Sequence, residues 1–281
     1  MIARVPASSA NLGPGFDTLA VALNRYVEVE VREADEFSIV TSGFGSGRFD
    51  DERHLGAVVV ASVLGHHRFS IRVDSQIPLS RGLGSSASLA LAAATAAGAP
   101  DALDIAVAID GHAENAAASW RGGLVAAGVR DGVVAVAELQ LDEAWRFVVV
   151  VPEIELATAD ARRVLPELVP FVDAVANLTS LGLLIAGLAD HRVFVPWAMD
   201  DRLHQPYRSS LLAVAEPLLG ALRDAGASGA CWSGAGSTML GLATVETADA
   251  VADGARRTLL HHGVEGTVSV LEADRVGTVV R

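Results

Sequence analysis

The chain has no lysine. All 21 of its basic Lys+Arg positions are arginines, in a sequence of 281 residues. That absence excludes a lysine Schiff base, and with it pyridoxal phosphate chemistry of the usual kind. It also excludes a Walker-type phosphate loop, which depends on its lysine. Any phosphate chemistry here must rest on backbone N–H groups, arginine and a metal ion. Cysteine is nearly as scarce. Cys231 stands alone, so neither an intramolecular disulfide nor a multi-cysteine metal site can form, and its apolar setting beside Trp232 reads as a buried thiol. The pairs His66-His67 and His261-His262 lack the helical spacing of a zinc site, and there is no Gly-x-Ser-x-Gly elbow. Met1 to Ala7 lacks a long apolar stretch after a basic start, so no signal peptide is expected. The window Ala87 to Ala97, taken as the most apolar, is too short and too alanine-rich to span a bilayer. A net charge of -13 argues against nucleic acid or an anionic membrane as partner. These features predict a cytoplasmic protein.

Half of the chain, 51%, is hydrophobic, enough for a large core, and the length suggests two domains. Strands and helices mix in both halves without strict alternation, which predicts an α+β protein divided near Pro152, as 1–150 and 151–281. Residues 2–6 read as a short strand, Ala7 to Asp17 as a polar loop, and Thr18 to Leu23 as a helix or a buried strand. Tyr26 to Arg32 alternates as a half-buried strand. Gly43 to Gly47 reads as a flexible connection, and Leu55 to Leu64 as a helix. Further on, Asp101 to Ile109 predicts a helix, Gly123 to Leu141 a hairpin, and Arg146 to Val151 a strand. Helical periodicity returns at Phe171 to Leu188, Ser209 to Leu222 and Thr247 to His262. A helix also starts near Ala157, with Thr158 as its candidate cap.

The stretch that organises the rest is Pro78-Leu79-Ser80-Arg81-Gly82-Leu83-Gly84-Ser85-Ser86-Ala87-Ser88. It joins the alternating strand Phe69 to Ser75 to a helix ended by Gly98 and Pro100. Two glycines allow close backbone approach to a ligand, and a helix start presents unpaired N–H groups. This is a candidate phosphate cradle. Gly82 to Ala87 also fits Gly-x-Gly-x-x-Ala, but no strand runs directly into the glycines and no strand-borne acid follows at the right distance, so the dinucleotide reading is weak.

Pro78 to Ser88 resembles the phosphate-binding signature of the GHMP small-molecule kinases. Pro6 to Leu19 is similar to the N-terminal motif of their homoserine kinase branch, and so are Asp110 to Asn115, Thr158 to Arg162 and Asp201 to Arg208. Ser233 to Thr238 resembles the third kinase motif. The matches run in family order along almost the whole chain. The resemblance implies a two-domain α+β fold with a ferredoxin-like C-terminal half, and phosphoryl transfer from ATP to the side-chain hydroxyl of L-homoserine. It implies that Pro78, Leu79, Ser80, Arg81, Gly82, Leu83, Gly84, Ser85, Ser86, Ala87 and Ser88 hold ATP, and that Ser86 and Asp110 bind Mg²⁺. By the same resemblance Asn11, Asp17, Glu114 and Asn115 line the amino and hydroxyl ends of the substrate, and Arg162 and Arg208 take its carboxylate. Asn115, Glu114 and Arg162 are the expected catalytic groups, although no convincing general base is visible. Three departures stand out. Asp110 is shorter than the usual glutamate, Glu114 is longer than the usual aspartate, and Ala235 and Ser237 alter the third motif. A different small alcohol as acceptor, or a silent metabolite-binding homologue, therefore stays open. A homodimer is also compatible with the sequence.

Overall fold

In the computed structural model, which describes every residue from Met1 to Arg281, the chain opens with two paired strands, β1 (Ile2–Asn11) and β2 (Gly15–Glu33). The expected polar loop is mostly strand. Ser8 and Ser9 are fully buried within β1, and only Leu12 to Pro14 turn the chain. Serine tolerates that burial because each hydroxyl finds a partner, Asn115 for Ser8 and Ser233 for Ser9. The ambiguous run Thr18 to Leu23 is also strand. Leu19 to Leu23 are wholly inaccessible, so the alternation that marks a one-sided strand is missing.

The next elements are β3 (Ser38–Gly43), α1 (Leu55–Leu64), β4 (Phe69–Ser75), α2 (Ser85–Ala96), α3 (Ala102–Asp110) and α4 (Glu114–Arg121). The hairpin β5 (Leu124–Arg130) and β6 (Val133–Leu139) follows. The first sheet runs β3-β4-β2-β1, with the hairpin added through β5 to β2. All its pairings are antiparallel except β3 with β4. Alanine is dense in α2 because that helix packs against β1, β2, α1, α3 and α4 at once, so six of its alanines are buried.

The second sheet starts with β7 (Trp145–Pro152). After it come α5 (Thr158–Arg163), α6 (Phe171–Ala189), α7 (Gln205–Arg208), α8 (Ala215–Asp224), β8 (Gly229–Trp232), β9 (Met239–Thr244), α9 (Ala248–His261) and β10 (Gly266–Leu271). Its order is β10-β7-β9-β8, all antiparallel. With α8 before β8 and α9 before β10, this is the ferredoxin-like arrangement. The apolar run in β7 is explained by burial on both faces. Phe147, Val149 and Val151 join the main core, whereas Val148 and Val150 sit in a second core with α8 and α9. The expected division at residue 150 falls inside this strand. Beyond β10 the chain returns to the first sheet. The Asp274 N–H donates to the Ala22 carbonyl at 3.0 Å, and β11 (Val279–Val280) pairs with β1. Both halves are thus closed against one another by the chain's own end. Phe147→Ala is expected to lower unfolding free energy by about 3–5 kcal/mol, read from denaturant unfolding curves.

Candidate active site

The phosphate-like cradle is built by close packing between loops. Gly82 and Gly84 have φ of 77° and 65°, and Gly84 stands at the N-terminus of α2. A Cβ on Gly82 would lie 2.1 Å from the Ser233 carbonyl oxygen, and one on Gly84 would lie 2.2 Å from Ser8 Oγ. Both positions therefore demand glycine for their neighbours as well as for their φ. The Ser8 N–H donates to the Leu83 carbonyl at 3.2 Å, and Ser233 Oγ donates to the Gly82 carbonyl at 2.6 Å. The α2 start has no side-chain cap, and its first intrahelical bond is from the Ser88 N–H to the Gly84 carbonyl. The N–H groups of Ser85, Ser86 and Ala87 are left without a protein acceptor. This is a ready anion site on a helix of 12 residues.

These groups face a cavity of about 130 Å³ lined also by Asn11, Asp17, Asp110, Glu114, Asn115, Arg162 and Arg208. Arg162 donates to both oxygens of Asp17, at 3.0 and 2.7 Å. Arg208 is only 2% exposed, and burial lowers its pKa to about 10, helped by the nearby Arg162 charge. It donates to the carbonyls of Ala161 and Gly234, at 3.2 and 2.9 Å. His204 completes its seat. Burial holds that imidazole down at about 4, hence neutral, so Nε2 donates to the Gly13 carbonyl and Nδ1 accepts from Arg208 at 3.0 Å. Phe16 lies 5.6 Å from the Arg162 guanidinium and 5.4 Å from that of Arg208, a shared aromatic platform.

The acidic side is arranged around His112. Its Nδ1 lies 3.1 Å from Asp110 and 3.3 Å from Glu114. Burial works against the imidazolium, but the two carboxylates outweigh it and raise the His112 pKa. Burial likewise raises the Glu114 carboxyl above its ordinary range. Glu114 Oε2 is buried without a hydrogen-bond partner, and Asp110 Oδ2 has no neighbour but His112 Nδ1, 3.1 Å away. Such atoms call for a cation or a donor.

Most of the sequence-derived residues thus meet in one place, with informative exceptions. Ser88 is outside the cavity, because its hydroxyl is bound to the Pro6 carbonyl at 2.9 Å. Leu83 and Ala87 belong to the core, and Pro78 and Arg81 line an outer groove. Asn11 reaches the cavity, with both ends of its amide anchored in the protein. Nδ2 donates to the Gly234 carbonyl, and Oδ1 accepts from the Asp17 N–H. Thr158 is no cap, since Ala157 holds that position without a side-chain bond; Thr158 lines the cavity instead. Sequence reasoning assigned no role to His112, His204 or Phe16, although all three lie inside quoted motifs. It also read Gly43 to Gly47 as a flexible connection. That segment helps to wall a second chamber of about 270 Å³, with Phe44, Phe49, His54, Leu79 and Leu89. The two chambers share Ser80, Ser85 and Ser86.

Comparison with known proteins matches this layout. Residues 53–127 fit the model of the GHMP kinases N terminal domain, and 161–260 that of the GHMP kinases C terminal domain. The chain belongs to the GHMP kinase family. As a member it is an ATP-dependent kinase. This GHMP kinase is 35% identical to a homoserine kinase of Microchaete diplosiphon, with 97% of this chain and 94% of that one covered. It is 37% identical to a homoserine kinase of Gloeobacter violaceus, over 89% and 90%. The crystal structure of homoserine kinase from Cytophaga hutchinsonii superposes with a TM-score of 0.87 at 28% identity, over 100% and 97%.

In this GHMP kinase, Gly82→Ala is expected to displace the cradle from the Ser233–Gly236 loop. The expected readings are a thermal midpoint lower by several degrees and a KM for ATP raised at least tenfold. An unchanged KM would show that the loop accommodates the methyl group.

Proposed function

We propose that the chain transfers the γ-phosphoryl group of ATP to the side-chain hydroxyl of L-homoserine, giving O-phospho-L-homoserine, a step toward threonine. One observation carries the reading: a single small cavity holds two arginines, an acid pair fit for an ammonium group, and the free N–H groups of α2. The homoserine kinases that match along nearly the whole chain support it. The Arg162–Asp17 fork prefigures a zwitterion. An incoming α-carboxylate can take over the arginine donors, while its ammonium meets Asp17 and Glu114. Asn115 spends its oxygen on the Ser8 hydroxyl at 2.9 Å, which leaves its amide N–H groups for the substrate.

The triphosphate belongs over the free N–H groups of Ser85 to Ala87, with the base in the more apolar chamber beside Phe44, Phe49 and Leu89. Ser86 and Asp110 suit Mg²⁺, since both line the cavity and offer hard oxygen donors, and Asp110 shares one of its oxygens only with His112. Asp110 is short enough that a water can complete the reach. Bound there, the ion would neutralise charge on the transferring phosphoryl group. The hydroxyl oxygen bonds to the γ-phosphorus as the bond to the ADP oxygen breaks, and the hydroxyl proton passes to a phosphoryl oxygen and from there to water. Catalysis is chiefly alignment, and Glu114 is assigned to holding the ammonium. The reading includes a cytoplasmic location and a homodimer.

The deciding experiment is an ADP-release assay with L-homoserine, L-serine, L-threonine and pantoate as acceptors. Homoserine should have at least tenfold the kcat/KM of the others, and a preference for pantoate would overturn the assignment. For the clamp, Arg162→Ala should raise the homoserine KM roughly 30-fold, about 2 kcal/mol, at the low end for a charge pair because this one is partly exposed. Glu114→Gln should raise KM with little change in kcat, whereas lost turnover at unchanged KM would point to acid–base chemistry. Ammonium binding needs the Glu114 carboxylate ionised. Its raised pKa therefore predicts that kcat/KM falls, as pH is lowered, at a pH above the ordinary glutamate value of 4.5, and Glu114→Gln should remove that limb.

A further inference from the structure

Three buried hydroxyls adjoin the site without opening into it. Ser8, Ser88 and Ser119 are wholly inaccessible, and none of them lines the cavity. They meet where β1, α2 and α4 pack together. These elements bring mostly alanine into the core, with Ala7 from β1, Ala87 and Ala90 from α2, and Ala116 to Ala118 from α4. Three more alanines would fill the same junction, and trading bonded polar groups for apolar ones of like shape is close to neutral. Packing alone therefore does not call for the serines. Ser119 is the sharpest case. A hydroxyl within a helix readily bonds back to the carbonyl four residues earlier, as Thr179 does to Val175 and Thr258 to Gly254. Ser119 instead reaches across to Ser8 and Ser88.

Each hydroxyl has one proton to give. Ser88 gives its proton to the Pro6 carbonyl, and Ser8 gives its own to Asn115 Oδ1, each at 2.9 Å. Both therefore turn lone pairs toward Ser119. Ser119 Oγ lies 3.2 Å from Ser88 Oγ and 3.4 Å from Ser8 Oγ, and its proton is the one left for them. We propose that Ser119 is a positioning residue for phosphoryl transfer. Its proton keeps the Ser8 hydroxyl turned outward, and Ser8 in turn holds the Asn115 amide with its N–H groups toward the cavity. Asn115 Oδ1 has no other partner, and Nδ2 has none within the protein. Without the Ser119 proton, two sets of lone pairs face each other in a dry pocket. Ser8 then gains by turning its own proton inward, which releases Asn115 Oδ1. A released amide can turn over and offer the cavity an acceptor where it had offered donors.

The surroundings hold this chain of hydroxyls in place. The Ser119 carbonyl accepts from the Thr278 hydroxyl and the Trp120 carbonyl from the Thr278 N–H, each at 3.1 Å, which pins that end of α4. Ser8 Oγ is pressed against the start of α2, where a Cβ on Gly84 would lie 2.2 Å away. Ser88, expected from the sequence to hold ATP, serves instead at the inner end of the chain, with its proton tied to β1. The inference rests on the reading of Asn115 as a donor to the substrate, but not on homoserine as the acceptor.

The first test needs no substrate. The chain has four asparagines, Asn11, Asn24, Asn115 and Asn177, so selective heavy-nitrogen labelling resolves their side-chain amides by magnetic resonance. The Asn115 signals are identified by their loss in Asn115→Ala. In Ser119→Ala they should move, while those of Asn11, Asn24 and Asn177 stay in place. The second test is kinetic, with whichever acceptor gives the highest kcat/KM. Ser119→Ala should lower that kcat/KM about tenfold at an unchanged KM for ATP, the scale of one misdirected buried hydrogen bond. Ser119→Thr should remain near the native rate, whereas Ser119→Val, equal in shape but without the hydroxyl, should match Ser119→Ala. In single turnovers of Asn115→Ala, adding Ser119→Ala should change the rate less than about twofold, because the residue it positions is already gone. Asn115 signals that stay put overturn the proposal. So does a Ser119→Val as active as Ser119→Thr, or a Ser119→Ala loss that persists in full without Asn115, since each marks a purely structural role. If the extra methyl unfolds both Thr and Val variants, the alanine series decides. Inactivity toward every acceptor would sink the homoserine reading alone, and the amide signals would still decide this one.

Discussion

The carbonyl oxygen of Gly234 is the point on which the site depends. It accepts from Asn11 Nδ2 and from Arg208 Nη1, each at 2.9 Å, while the Gly234 N–H donates to the Ala10 carbonyl at 3.0 Å. One residue earlier, Ser233 Oγ donates to the Gly82 carbonyl and takes a bond from Ser9. Three segments distant in sequence are therefore satisfied at two adjacent residues, all of them buried or partly so. A buried polar group that loses its partner costs about 1–3 kcal/mol, so these segments must be placed together or not at all. The same stitching is compatible with Ala235 in the third motif. The stitching is done by Ser233 and by the backbone of Gly234, and Ala235 contributes no side-chain bond to it.

Much of this was legible in the sequence where a residue's own chemistry forced its surroundings. The boundaries of α1 and β4 followed from periodicity, and the cradle followed from glycines and serines before an apolar run. Other features depend on partners far along the chain. Ser8 and Ser9 look like turn residues until Asn115 and Ser233, more than 100 positions away, supply their hydrogen bonds. The exposed stripe of α6 has the same periodicity as a buried one. Its inner face is set by Asn177, a residue that composition alone would turn outward. Gly43 to Gly47 gave no periodic signal, and its role as a chamber wall arises from packing against Leu79.

The exchange of lengths between Asp110 and Glu114 acquires a physical reading from His112. Its ring nitrogen is within 3.3 Å of both acids, so the three groups form one unit. The shorter acid at the C-terminal end of α3 and the longer one at the start of α4 keep that ring between them. The unit limits charge at this end of the cavity, where the two carboxylates, near Asp17, would otherwise repel.

The absence of lysine then becomes an argument about how such a site handles ATP. With no ammonium group to offer, the cradle contributes dipoles: free N–H groups and a helix N-terminus, which attract a phosphate without carrying a full charge. The full positive charges nearby, Arg162 and Arg208, are already engaged, one by Asp17 and the other by carbonyls and His204. On the proposed reading, neutralising a triphosphate beside three acids falls to a cation bound along with the nucleotide, and Asp110 and Glu114 line the cavity where it would bind. On the same reading the arginines are reserved for a carboxylate. In this way a chain of net charge -13 can hold an anionic nucleotide and still tell an amino acid from a simple alcohol.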